Sequence, residues 1–155
     1  MIGGAQYPQE FPWTANIFFT RHLPPDQHAT FFSSSRLTLN ITRRDMVEMG
    51  WCPSGRLFEA AACGVPIVTD WWPGLDDFFE PDRDIIVAAC TEDVLRALDR
   101  PDDQLQSIGE SARQRVLSDH TSDRRVDELE HLLFGESAAA GPAASRTRDM
   151  QMPEA

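Results

Sequence analysis

The sequence predicts an α/β domain with a mostly parallel sheet, and three observations carry that prediction. From about residue 15, short apolar runs alternate with stretches of helical periodicity, the pattern of strands joined by helical crossovers. Residues 36–42, Arg-Leu-Thr-Leu-Asn-Ile-Thr, alternate in period two and include β-branched side chains, as a half-buried strand requires. Proline, serine and glycine punctuate the boundaries, above all Pro53-Ser54 before and Gly64 after one apolar-periodic run.

The elements follow in order. Ile17 to Thr20 reads as a strand. Pro24-Pro25-Asp26 opens a short helix to about Ser33, because proline suits a first helical turn. The strand at 36–42 comes next, then a polar loop. A helix over 54–63 starts at Ser54, runs through Leu57, Phe58, Ala60, Ala61 and Ala62, and stops at Gly64. Pro66 to Thr69 is a strand, Leu75 to Phe79 a short helix, and Asp84 to Ala89 a further strand. Thr91 is placed to N-cap a helix carrying Val94, Leu95 and Leu98. Two closing helices, with Leu105, Ile108, Ala112 and Val116 and then Val126, Leu129 and Leu132, should cover the sheet. Residues 1–14, with Gly3, Gly4, Pro8 and Pro12, suggest the end of a strand entering an irregular loop. Residues 136–155 are rich in small residues without apolar period, so they are read as a disordered tail to a domain spanning 1–135.

Composition narrows the ligand classes. With 155 residues there is room for one core. The net charge of -11 would repel a nucleic-acid backbone, yet a few helix-end amides and arginines still bind a diphosphate locally. Nucleic acid is therefore not an expected partner, whereas a nucleotide is not excluded. No run is long enough to span a bilayer and no signal peptide precedes the domain, so a cytoplasmic protein is expected. Cys52, Cys63 and Cys90 are scattered and read as reduced core residues, and neither they nor the four histidines have metal-ligand spacing. No metal or cofactor is expected.

The stretch Asn40 to Gly64 carries the chemistry: a strand ends, a loop intervenes, and a helix begins at Ser54-Gly55. Ligands of open α/β sheets sit beyond the carboxyl ends of strands, where a helix amino-terminus offers unpaired amides and a positive dipole end. Ser54 can cap or donate, Gly55 lets the backbone approach closely, and Arg56 adds charge. Glu59, about a turn further on, is spaced to accept hydrogen bonds from ribose hydroxyls. An ordinary cap and a solvated helical glutamate fit the same spacing. Arg43 and Arg44 follow a strand end, where a guanidinium could neutralise a leaving diphosphate or simply face solvent. His22 and His28 are read as structural.

The run G-R-L-F-E-A-A-A-C-G-V-P-I-V-T-D-W-W-P-G-L-D-D at 55–77 resembles the E-A-x-A-C-G-x-P-V-V segment of retaining GT-B glycosyltransferases. With L-P-P-x-x-H at 23–28 and S-S-S-R-L-T-L-N-I-T at 33–42, the chain is most similar, from about residue 2 to 134, to the spore-maturation CgeB-like glycosyltransferase family. The resemblance implies a Rossmann-like three-layer domain, the carboxy-terminal and nucleotide-sugar-binding half of a GT-B fold. It implies that Glu59 binds the donor ribose, that Ser54 and Gly55 form the phosphate-facing turn, and that Gly74, in Trp72-Pro73-Gly74-Leu75-Asp76, belongs to the donor site. Where relatives carry a second glutamate eight residues before the first, this chain has Trp51. Asp70, Trp71 and Trp72 would line the cleft or pack between domains.

The resemblance also implies an amino-terminal acceptor domain outside these residues, and a first strand and helix of the donor domain that precede Gly3. A nucleoside-diphosphate sugar would be the donor substrate. The competing reading is a non-catalytic module that pairs with a separate amino-terminal domain, or with a second copy, through an exposed interdomain face. A flavodoxin-like or response-regulator domain ranks last, because the early acidic or phosphate-binding loop it needs is not found. Sugar, base and acceptor are not encoded in any motif.

Overall fold

A computed structural model describes residues 2–3, as backbone, and 10–135. The residues called a disordered tail, 136–155, and most of the expected amino-terminal loop lie outside the described residues. The chain divides into two compact units between His120 and Thr121.

In the first unit, β1 (Ile2–Gly3) pairs in parallel with β2 (Phe19–Thr20). A single 3₁₀ turn, Pro25–Gln27, leads into α1 (His28–Ser33). β3 (Thr38–Asn40), β4 (Ile67–Thr69) and β5 (Ile86–Val87) form a parallel sheet in the order β3-β4-β5. Between them lie α2 (Arg44–Met49), α3 (Gly55–Ala62) and α4 (Leu75–Phe78), and after them α5 (Thr91–Leu98) and α6 (Asp102–Asp119).

Strand β4 is buried on both faces, which is why it reads as a continuous apolar run, whereas β3 leaves Leu39 exposed. Ile67 and Ile85 join Leu57, Ala60 and Ala61 of α3 and Ala112 and Val116 of α6. The neighbouring residues Val68 and Ile86 point the other way, towards Ala97 of α5 and Leu105 and Ile108 of α6. Helix α6 therefore serves both layers. It approaches α3 closely at Gly109, where an added Cβ would lie 2.2 Å from the Gly64 carbonyl oxygen.

The strands are shorter than their apolar patterns, because the flanking side chains are used elsewhere. Arg36 leaves β3 to donate to the Leu98 and Arg100 carbonyls that end α5 (2.7 and 2.9 Å) and to Asp102. Thr42 turns away at the other end to bond Asp70. Ile17 is held in a turn by Thr14, leaving only Phe19–Thr20 to pair.

Three expectations are corrected. The polar loop after β3 contains α2, a six-residue helix anchored by half-buried Val47 and ended by Gly50 at φ 67°. The N-cap of α5 is Cys90 and not Thr91: the Asp93 carboxylate accepts the Cys90 amide and the Ala89 amide (2.8 Å). Cys90 is accordingly exposed, not a core residue, while Cys52 and Cys63 are half-buried.

The second unit holds α7 (Ser122–Phe134), capped by Thr121, whose hydroxyl accepts the Arg124 amide at 3.3 Å. None of its residues is buried, and Val126, Leu129 and Leu132 are exposed. Among the described residues no helix is long and apolar enough to cross a membrane.

Candidate functional site

The parallel register Thr38↔Ile67 to Asn40↔Thr69 brings β3 and β4 out at one edge. There Asn40 Nδ2 donates to Thr69 Oγ1 at 3.0 Å, and the Thr42 amide and hydroxyl both donate to Asp70 Oδ1 at 2.8 Å. Asn40 and Thr69 are buried, and their mutual bond removes the penalty of burying them unpaired. These bonds tie the two strand exits together.

The chain then passes through α2 and returns to the same edge. The Trp51 amide donates to the Pro73 carbonyl at 2.7 Å, fastening residues 50–51 to the loop that leaves β4. Three residues later Ser54, in extended conformation, is the N-cap of α3. The far end of α3 passes through Gly64 to Pro66, whose carbonyl accepts the Thr38 amide at the amino edge of the sheet. Helix α3 thus points its amino-terminus at the carboxyl edge, where its dipole and unpaired amides favour an anion.

Among the described residues that amino-terminus is uncovered: the Ser54 side chain makes no capping bond, and nothing stands within 4 Å of where a Gly55 Cβ would be. Gly55 and Arg56 are exposed and Ser54 is half-buried. Glu59 lies four residues along, about 6 Å by helical rise, with its side chain half exposed. Its Oε2 meets His28 Nδ1 at 3.0 Å, and His28 Nε2 meets the Leu23 carbonyl at 3.0 Å. Both partners of the ring are acceptors, so both bonds coexist only when each ring nitrogen carries a proton. No sequence spacing announces this contact, which joins residues 31 apart.

Ser54, Gly55, Arg56 and Glu59 share one helix and one end of the sheet. Arg43, the exposed N-cap of α2, follows directly from the Thr42 bond at the strand exit, with Arg44 beside it. Gly74 takes φ 94° and is buried: an added Cβ would fall 2.5 Å from Trp51 Cδ1. It seats the Trp51 ring. Trp72 is buried in the core beside Leu57 and Leu75, whereas Trp71 is exposed. Among the described residues no three His, Cys, Asp or Glu side chains converge as a metal site.

A family profile described as glycosyl transferase-like matches residues 1–131. Among solved structures, sucrose-phosphate synthase from Thermosynechococcus elongatus superposes with a TM-score of 0.60 at 17% identity, over 77% of this chain and 31% of that one. The chain therefore spans about a third of that protein's length. At that identity the likeness bears on fold alone, and the shared fold is the Rossmann-like one of GT-B glycosyltransferases. No curated protein sequence matches.

Proposed function

Because the chain belongs to the glycosyl transferase-like family, we propose that it is the donor-binding domain of a glycosyltransferase, taking a nucleoside-diphosphate sugar at the amino-terminus of α3. The observation that carries the proposal is that open amino-terminus at the carboxyl edge of the sheet, with Glu59 one turn along. The diphosphate lies against the Gly55 and Arg56 amides, the Ser54 hydroxyl donates to it, and Arg56 and Arg43 add charge. Glu59 accepts from the ribose hydroxyls with the carboxylate oxygen that His28 leaves unused.

In transfer, a nucleophilic atom of the acceptor bonds the anomeric carbon and gives up its proton to solvent or a base, while the bond from the anomeric carbon to the diphosphate oxygen breaks and its electron pair leaves with the diphosphate. Helix amides and guanidinium groups aimed at that oxygen stabilise the charge as it develops. No metal or cofactor enters this scheme. The finer assignment, to the CgeB-like group with retention at the anomeric carbon, rests on the motif resemblance at 23–28, 33–42 and 55–77. Partners would be the nucleotide sugar and an acceptor-binding domain.

Titration calorimetry of this chain with uridine and guanosine diphosphates tests the reading. Binding in the high-micromolar range without turnover is expected, because one wall of a cleft orders its ligand poorly. Absence of binding to either nucleotide contradicts a donor site, and robust transfer by this chain alone contradicts a donor-binding half.

A further inference from the structure

We propose that His28 is a positioning residue for Glu59 whose hold depends on a proton, so that nucleotide affinity is linked to pH through this ring; the inference rests on the donor site proposed above. The ring lies between two acceptors, the Glu59 carboxylate at Nδ1 and the Leu23 carbonyl at Nε2, each at 3.0 Å. An imidazolium donates to both. A neutral imidazole has one N–H, so its other nitrogen turns a lone pair on an acceptor. Imidazole is the side chain whose ordinary change of charge falls between about pH 5 and pH 8.

Burial decides which bond survives deprotonation. The bond to the Leu23 carbonyl is partly buried, whereas that to Glu59 is exposed. A carbonyl shielded from water loses more with its donor than a carboxylate that water can solvate. The neutral ring therefore keeps its proton on Nε2, and Nδ1 sets a lone pair against Glu59 Oε2. The ring itself stays in place, edge-on to Phe32 at 6.4 Å, while Glu59 is released. Other charges do not override this pairing. Helix α1 packs against the 3₁₀ turn and α3. Their charged side chains are Asp26 on the turn and Arg56 and Glu59 on α3, and His22 lies in the loop that carries Leu23. Among the described residues, Glu59 is the one of these that bonds His28. A carboxylate ordered before the ligand arrives spares part of the entropy cost of binding. The imidazolium form thus binds a ribose-bearing ligand more tightly, and by reciprocity binding draws a proton onto the ring. The contribution of His28 is complete at low pH and lost as pH rises through the titration of the imidazole.

The test measures the affinity of the full chain, of His28→Ala and of His28→Asn for uridine diphosphate, guanosine diphosphate and inorganic diphosphate. Each is measured at about pH 5.5 and about pH 8.5, on either side of the imidazole range. Ratios between parent and variant at one pH cancel the titration of the ligand phosphates and of His22. The parent should bind both nucleotides about three-fold more tightly than His28→Ala at the lower pH and equally at the higher. His28→Asn sets an amide N–H where Nδ1 stands and does not titrate, so it should match the parent at the lower pH and exceed it at the higher. Inorganic diphosphate has no ribose and should bind parent and variants alike. A parent-to-alanine ratio that does not fall as pH rises, an asparagine variant as weak as alanine at the lower pH, or a ratio that inorganic diphosphate shares overturns the inference and leaves the donor site standing. Failure of the parent to bind either nucleotide overturns the donor site itself, and the inference with it.

Discussion

At the scale of single residues, Glu59 is held before any ligand arrives. His28 engages one carboxylate oxygen and anchors its own ring on the Leu23 carbonyl. The pair is exposed enough that it contributes little to folding, about 1 kcal/mol or less. His28→Ala should therefore leave the melting temperature nearly unchanged while nucleotide affinity falls about three-fold, the cost of a carboxylate that must be ordered on binding. Calorimetry and a thermal melt decide this; a rise in affinity would mean that His28 competes with the ribose. The helix that bears Ser54, Gly55 and Glu59 was legible because a Pro-Ser-Gly start and a Gly64 stop fix it. The contacts of His28 with Glu59 and of Trp51 with Asp77 were not, because they join residues 31 and 26 apart.

At the scale of elements, the sequence betrays most clearly those with strong ends and many packed side chains. Helix α3 has a Pro53-Ser54 start, a Gly64 stop and buried Leu57, Ala60 and Ala61, and α6 follows Pro101 with buried Leu105, Ile108, Ala112 and Val116. Helix α2 has neither a side-chain cap nor a buried residue, so only Gly50 at its end and Asp45 in its first turn mark it. Strand lengths were overread for a related reason: β-branched residues such as Ile41 and Thr42 fit a strand, but Thr42 makes better bonds to Asp70. The packing of α6 on α3 gives a sharp prediction. Gly109→Ala forces a methyl group against the Gly64 carbonyl, both on backbone that cannot easily yield. Overpacking of this kind costs about 1–3 kcal/mol, against about 0.5–1 kcal/mol gained from replacing a helical glycine, so denaturant unfolding should show a net loss. An unchanged midpoint would mean that the two helices separate freely.

At the scale of the whole molecule, the alternation of strands and helices was readable. The amino edge of the sheet, remote from the candidate site, is fastened by Asp84. Burial would raise its pKa, but hydrogen bonds from Ser111, the Glu80 amide and Arg115, together with the Arg115 charge, outweigh burial and hold it below the ordinary carboxylate range. A folded pKa below the unfolded one means that this stabilisation is complete above the unfolded value, about 3.9, and is lost as pH falls through the folded value. Asp84→Asn should cost roughly 3 kcal/mol at neutral pH, with the gap between parent and variant closing in acid. Melting curves from pH 7 to pH 2 test the sign; a gap that widens in acid contradicts it.

The proposed donor site depends on Glu59 facing a nucleotide. The most direct measurement is the affinity of Glu59→Ala for uridine and guanosine diphosphates, set beside its melting temperature. Hydrogen bonds to a charged group contribute roughly 1.5–3 kcal/mol, so affinity should fall about ten-fold to a hundred-fold with the melting temperature almost unmoved. Unchanged affinity with a large loss of stability would make Glu59 a structural partner of His28 and contradict a donor site on α3.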